Sequence, residues 1–132
     1  MTLKVVRPIT VKVIVTDQLK EKLAFELQHA LQRVEGDLQH IEYQSKVLQN
    51  DIDKVSAQRA TAIKSQLDSE RQKRLDARRE LLEKLKAIAA LEVGQEQVHS
   101  TVDSIVEISV GDTWQPAVEI ILKEDRIVEI RG

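Results

Sequence analysis

Ile9, Val11, Val13 and Val15 alternate with Thr10, Lys12, Ile14 and Thr16, the period-2 pattern of a strand with one buried face. The alternation stops at "TDQLKEKL", where Thr16 or Asp17 can cap a helix and a helix-favouring composition begins. From Leu27 the apolar residues advance by alternating steps of four and three: Leu27, Leu31, Val34, Leu38 and Ile41, then Leu48, Ile52 and Val55. Ser45 is the one polar residue on this stripe, whose mean spacing is that of a coiled-coil seam. It fades through "SAQRAT" and resumes as Ile63, Leu67, Leu75, Leu82, Leu85 and Ile88. Gly94 reads as a helix stop. Beyond it Val98, Val102, Val106, Ile108 and Val110 share one parity. "VGDTWQP", with Gly111, reads as a turn, and "AVEIIL", "KED" and "RIVEIR" as a hairpin.

The pattern predicts an α+β chain. A long antiparallel coiled-coil helical hairpin occupies 17–93, turning near 56–61, and a small antiparallel β-sheet module is built from both chain ends, 3–16 and 95–132. The two apolar stripes mirror each other about residues 57–58: Leu31 falls opposite Leu85, Ile41 opposite Leu75 and Ile52 opposite Ile63. Acidic Asp37 and Glu42 fall opposite basic Arg79 and Arg74. A straight rod, about 110 Å long at about 1.5 Å per residue, satisfies the same mirror in an antiparallel homodimer. The lack of Gly or Pro near residue 57 suits the rod. The hairpin is simpler, because it brings one chain's strands together and can turn on polar residues such as Ser56 and Gln58.

Charge sharpens this picture. Charged residues make up 32 % of the 132 residues and aromatics only 2 %, which favours long exposed helices over a thick core. The net charge of −2 conceals segregation: residues 1–16 carry +3, 17–53 −4, 54–86 +5 and 87–132 −6. The second helical arm is therefore basic, through Arg59, Lys64, Arg71, Lys73, Arg74, Arg78 and Arg79. These residues neutralise the acidic first helix and hold its register, contact the phosphates of a structured RNA or the ribosome, or dock a protein on the same charges. The arm carries no stacking aromatics, which argues against single-strand base recognition.

The chain has no cysteine, so thiolate and disulfide chemistry are excluded. Lys4, Arg7, Pro8 and Lys12 interrupt any signal-like apolar run, and no stretch reaches the length of a membrane span. A cytoplasmic protein without membrane contact is expected. His29 and His40 share a helix face about 16 Å apart, too far for one metal, and His99 belongs to the outward parity of its strand. Asp51 and Asp53 lack a calcium-loop framework and read as helix-surface acids opposite Lys64. No phosphate-binding glycine loop or nucleophile elbow is present. Neither a cofactor nor an enzymatic activity is expected. Trp114 is expected to plug the junction of the two modules, packing between Val11, Val13, Val106 and Ile108 and the helix bases near Leu23, Phe25 and Leu91; an exposed recognition residue is the alternative.

The stretches "ITVKVIVTDQLKEKL", "LEVGQEQV" and above all "IVEISVGDTW" resemble the bacterial YlqD family over nearly the full length. That family is uncharacterised, so the resemblance implies neither an activity nor site residues. The expected function is that of a non-enzymatic interaction or scaffold protein presenting a stiff helical arm to an unidentified protein partner. RNA or ribosome association through the basic helix is the alternative.

Overall fold

The computed structural model describes residues 1–132 apart from Val55, Gln115, Pro116 and the side chain of Ile52. The Ile52–Ile63 pairing, the Val55 end of the first stripe and the Gln115–Pro116 part of the turn lie outside the described residues. In chain order the elements are β1 (Thr2–Ile14), α1 (Asp17–Asn50), a 3-10 turn (Ile52–Lys54), α2 (Ala57–Ala90), β2 (Glu96–Ser109), β3 (Val118–Lys123) and β4 (Arg126–Arg131). The chain divides into two compact units, Met1–Glu21 with Leu91–Gly132, and Lys22–Ala90.

The first unit is a four-stranded sheet of order β2-β1-β3-β4. It is mixed, not purely antiparallel as the alternation suggested. β1 runs antiparallel to β2, from Thr2↔Ser109 to Ile14↔Glu96, and parallel to β3, from Ile9↔Val118 to Val13↔Leu122. The cause is where the strands start and stop. β2 ends beside Thr2, and β3 begins beside Ile9 on the other side of β1, pointing along it. β1 also begins earlier than its clean alternation does. Pro8 sits inside the strand because β3 pairing starts only at Ile9, so this proline has one strand neighbour rather than two.

A bulge sits where Val11 pairs with Ser100 and Lys12 with Val98, leaving His99 as the extra residue. A one-residue slip transfers every later side chain to the opposite face. Val98 therefore leaves the parity it shares in sequence with Val102, Val106 and Ile108. The registers sort the sheet into two unlike faces. One carries Leu3, Val5, Arg7, Ile9, Val11 and Val13, with Val102, Val106, Ile108, Val118, Ile120, Leu122, Ile127 and Ile130 beside them. The other carries Lys12, Glu96, Glu119, Glu129 and Arg131 around Ile121. Val15 and Ile121 are the fully buried large side chains among the described residues. β3 and β4 are joined by Glu124 and Asp125, both at positive φ (50° and 63°), the backbone of a tight two-residue hairpin.

Thr16 opens α1: its Oγ1 accepts the Leu19 N–H at 3.1 Å. Ser56 does the same for α2, accepting the Arg59 N–H at 3.2 Å. The break between the helices therefore falls at 51–56, and residues 57–61, expected in the turn, form the first turn of α2. A serine hydroxyl that can satisfy an orphan N–H is better used as a cap than in mid-turn. α2 ends at Ala90 rather than 93. A turn follows in which Gln95 N–H donates to Glu92 O, Glu92 N–H donates to Gln95 Oε1, and Gly94 adopts φ +94°.

Candidate partner-contact surface

On α1 the predicted stripe is the sheltered one. Leu27, Leu31, Val34, Leu38, Ser45 and Leu48 are half-buried and Ile41 is buried. On α2 the phase differs from the expectation. Leu75 and Leu82 are exposed, while Leu67, Arg74, Leu81 and Ile88 are half-buried and repeat every seven residues. Tracing Leu to Leu through the charged stretch steps eight residues from 67 to 75 and loses the heptad. Arginine can occupy a seam because its alkyl stem packs while its guanidinium reaches outward.

The cationic ends explain which arginines take those places. Arg71 Nη2 donates to Ser45 Oγ at 3.2 Å, and Ser45 Oγ donates to Ile41 O at 3.0 Å. The one polar residue of the α1 stripe is thus matched by a donor from α2. Arg74 Nε lies 3.3 Å from Asp37 Oδ2, and Arg78 Nε 3.5 Å from Glu35 Oε1. The expected Asp37–Arg79 and Glu42–Arg74 pairs do not form. Arg79 pairs with Asp76 and Glu42 with Lys46, each within its own helix. Arg71 also contacts Asp68, and Arg74 contacts Glu70. Among the described residues no ion pair is found for Arg59, Lys64 or Lys73.

Near the start of α2 the two helices enclose a groove of ≈ 600 Å³, floored by Leu48, Ala57, Ala60 and Leu67 and edged by Lys64 and Arg71. Asp53 lines the same groove as Lys64, whereas Asp51 pairs with Lys54 at 3.7 Å. The histidines are dispersed: His29 meets Phe25 edge-on at 4.8 Å, and His99 contacts its neighbour Ser100. No metal-holding group of side chains occurs among the described residues.

Trp114 is not a plug. It is 66 % exposed, and the Arg7 guanidinium carbon lies 5.4 Å from its ring centroid, a cation–π contact at the surface. Gly111 (φ +100°) belongs to the turn that leads to it, where Asp112 Oδ2 accepts the Ser109 N–H at 2.8 Å. Sequence reasoning overlooked the charged face of the sheet. Arg131 forms a two-pronged contact with Glu96, at 2.6 and 3.0 Å, and reaches Glu129 at 3.0 Å. Lys12 reaches Glu119 at 3.1 Å. The Arg131 hydrogen bond holds the Glu96 carboxyl below its ordinary range, and the Glu96 and Glu129 carboxylates raise Arg131 further. The only sequence signal for this clasp is the alternation of charge with apolar residues in "RIVEIR".

The sequence matches the YlqD protein family over residues 3–131. The chain belongs to the YlqD family. Its fold is similar to that of a protein of unknown function from Synechococcus sp. WH 8102, known from a crystal structure, with a TM-score of 0.73 and 24 % identity. The match covers 100 % of this chain and 96 % of that one. No curated protein matches the sequence. No helix among the described residues is long and apolar enough to cross a membrane.

Proposed function

We propose that this YlqD-family protein is a non-enzymatic cytoplasmic interaction module. In this reading α1 and α2 form an antiparallel coiled-coil hairpin whose stiff arm is offered to a protein partner. The hairpin is supported by the inverse order of the cross-helix bonds: Ser45, Asp37 and Glu35 meet Arg71, Arg74 and Arg78 respectively. The observation that carries the functional reading is the engagement of Arg71, Arg74, Arg78 and Arg79 by acids of the same two helices. Cations already paired are poor candidates for phosphate contacts. The groove floored by Leu48 and Ala60 near the start of α2 is the surface on which an apolar side chain of the partner would seat.

RNA association is the second reading, favoured by Arg59, Lys64 and Lys73, for which no ion pair is found among the described residues. The two readings separate in salt. Three phosphate contacts would weaken RNA binding on the order of 40-fold between about 50 and 200 mM salt, and Arg59→Glu, Lys64→Glu and Lys73→Glu together would abolish it. The protein-docking reading expects no binding of a structured RNA even at low salt. It also expects a protein captured by the wild type and lost with Lys64→Glu. Salt-sensitive RNA binding removed by the triple substitution would refute it.

A further inference from the structure

The two faces of the sheet differ in what they still lack. On the charged face, Lys12, Glu96, Glu119, Glu129 and Arg131 satisfy one another around fully buried Ile121, and its exposed aliphatics are split, Val6 with Ile105 set apart from Val98 by Asp103 and Thr101. On the other face Leu3, Val102, Ile127 and Ile130 remain 46–67 % exposed, and exposed Trp114 joins that side by stacking on Arg7. From the half-buried Val5, Ile9, Val106 and Ile108, the aliphatic surface continues across all four strands to these residues. A contiguous apolar patch at the upper end of what monomers expose often marks an interaction site.

We propose that this face is a two-fold interface with a second copy of the same chain, packed sheet on sheet. Three observations favour this occupant over a foreign one. The face holds no acidic side chain, and its single cation, Arg7, is already held against the Trp114 ring, so it offers no charge pattern to select an unlike partner. It is built of Val, Ile and Leu at alternate positions of long strands, the composition that packs against another sheet about 10 Å away. Its area is also sufficient. A wholly exposed aliphatic side chain offers about 100 Å² by its transfer free energy, and an indole about 200 Å². At the observed exposures, and with the half-buried residues included, each copy contributes about 500–600 Å², so the pair buries just over about 1,000 Å², the lower bound for a specific interface. The dimer is therefore weak, with dissociation on the micromolar scale. This contact is independent of any pairing between helices, and it does not rest on the reading of the helical arm.

Sedimentation equilibrium across about two decades of concentration around the micromolar range, followed together with Trp114 emission, tests the proposal. The expected result is a monomer–dimer equilibrium in which Trp114 emission moves to shorter wavelength as dimer forms. Ile130→Lys introduces a cation twice into a two-fold interface and should weaken the dimer at least tenfold while leaving far-UV circular dichroism unchanged. Val102→Lys, on the opposite edge strand, provides the same test should Ile130→Lys disturb β4. Ile105→Lys, on the charged side of the sheet where Ile105 is 73 % exposed, should leave the dimer intact. A wild type that stays monomeric throughout would overturn the proposal. So would a dimer that survives both Ile130→Lys and Val102→Lys, or one that only Ile105→Lys disrupts.

Discussion

Replacing Ile121 with alanine probes whether the sheet unit depends on one buried side chain. Ile121 lies at the centre of β3, paired with Lys12 on β1 and Glu129 on β4, and is wholly removed from solvent. Removing three carbons from such a site costs about 2–5 kcal/mol, the transfer of those carbons plus the cavity they leave. The upper part of that range applies only if the site cannot collapse. Long Lys12 and Arg131 stems on the same face can settle inward, so about 3 kcal/mol is expected. The unit has 63 residues, Met1–Glu21 and Leu91–Gly132. At about 0.05–0.15 kcal/mol per residue it holds about 3–9 kcal/mol in total. The substitution should therefore remove a third or more of the unit's stability. Urea unfolding at fixed protein concentration, read by Trp114 fluorescence for the sheet and far-UV circular dichroism for the helices, measures it. Ile105→Ala, at an exposed position of β2 on the side of the sheet away from the proposed interface, is the control and should cost less than about 0.5 kcal/mol. Equal losses for the two variants, or a loss below about 1 kcal/mol for Ile121→Ala, would show that the sheet is not held from its charged face.

Four further outcomes follow from local chemistry. Glu124→Asn with Asp125→Gly should stabilise the protein by about 0.5–1 kcal/mol, since both positions hold the positive φ those residues favour; a loss in urea midpoint would contradict the turn assignment. Thr16→Ala should cost about 1 kcal/mol, or somewhat more, because the hydroxyl is a buried cap, and Ser56→Ala less, its cap being exposed; thermal melts compare them. The lowered carboxyl of Glu96 contributes stability that is fully present above the ordinary carboxylate range and is lost as pH falls through the lowered value. The difference in urea midpoint between wild type and Glu96→Gln should accordingly be present at about pH 7 and shrink in strong acid; a gap that widens in acid would reverse the sign. Ser45→Leu should raise helical stability only if Arg71 is changed with it, because alone it strands the Arg71 donor that now meets Ser45 Oγ; a double-mutant cycle reads the coupling.

The first helix was legible because its apolar stripe is nearly unbroken and the one exception, Ser45, keeps the spacing. The second was legible as a helix but not in phase. Between Leu67 and Leu81 only the small Ala77 marks the seam, and a paired arginine at 74 looks in sequence like any solvated charge. The strands were visible from their alternation, yet alternation identifies faces and not neighbours. Nothing in a period of two shows that β3 will lie parallel to β1, or that His99 will be squeezed out of register. Trp114 misled because a lone large ring in a chain poor in aromatics suggests a core. It lies instead at the surface over Arg7, a contact that the alternation of the strands does not announce. The basic residues of the candidate surface were all identifiable, but their acidic partners were placed about one helical turn away from where the bonds form.

The central place of β1 also governs the order in which the protein can be made. Its pairing with β2 runs from Ile14↔Glu96 to Thr2↔Ser109, and its pairing with β3 begins at Val118. β1 therefore waits for partners that are made only after both helices, while α1 and α2 can form on the way. Contact order in the sheet is high and its folding correspondingly slow. During that interval an aliphatic strand with both edges open is exposed to association with other chains. Pro8 and the alternating charges of Lys4, Arg7 and Lys12 interrupt it just where such an edge would otherwise be most adhesive.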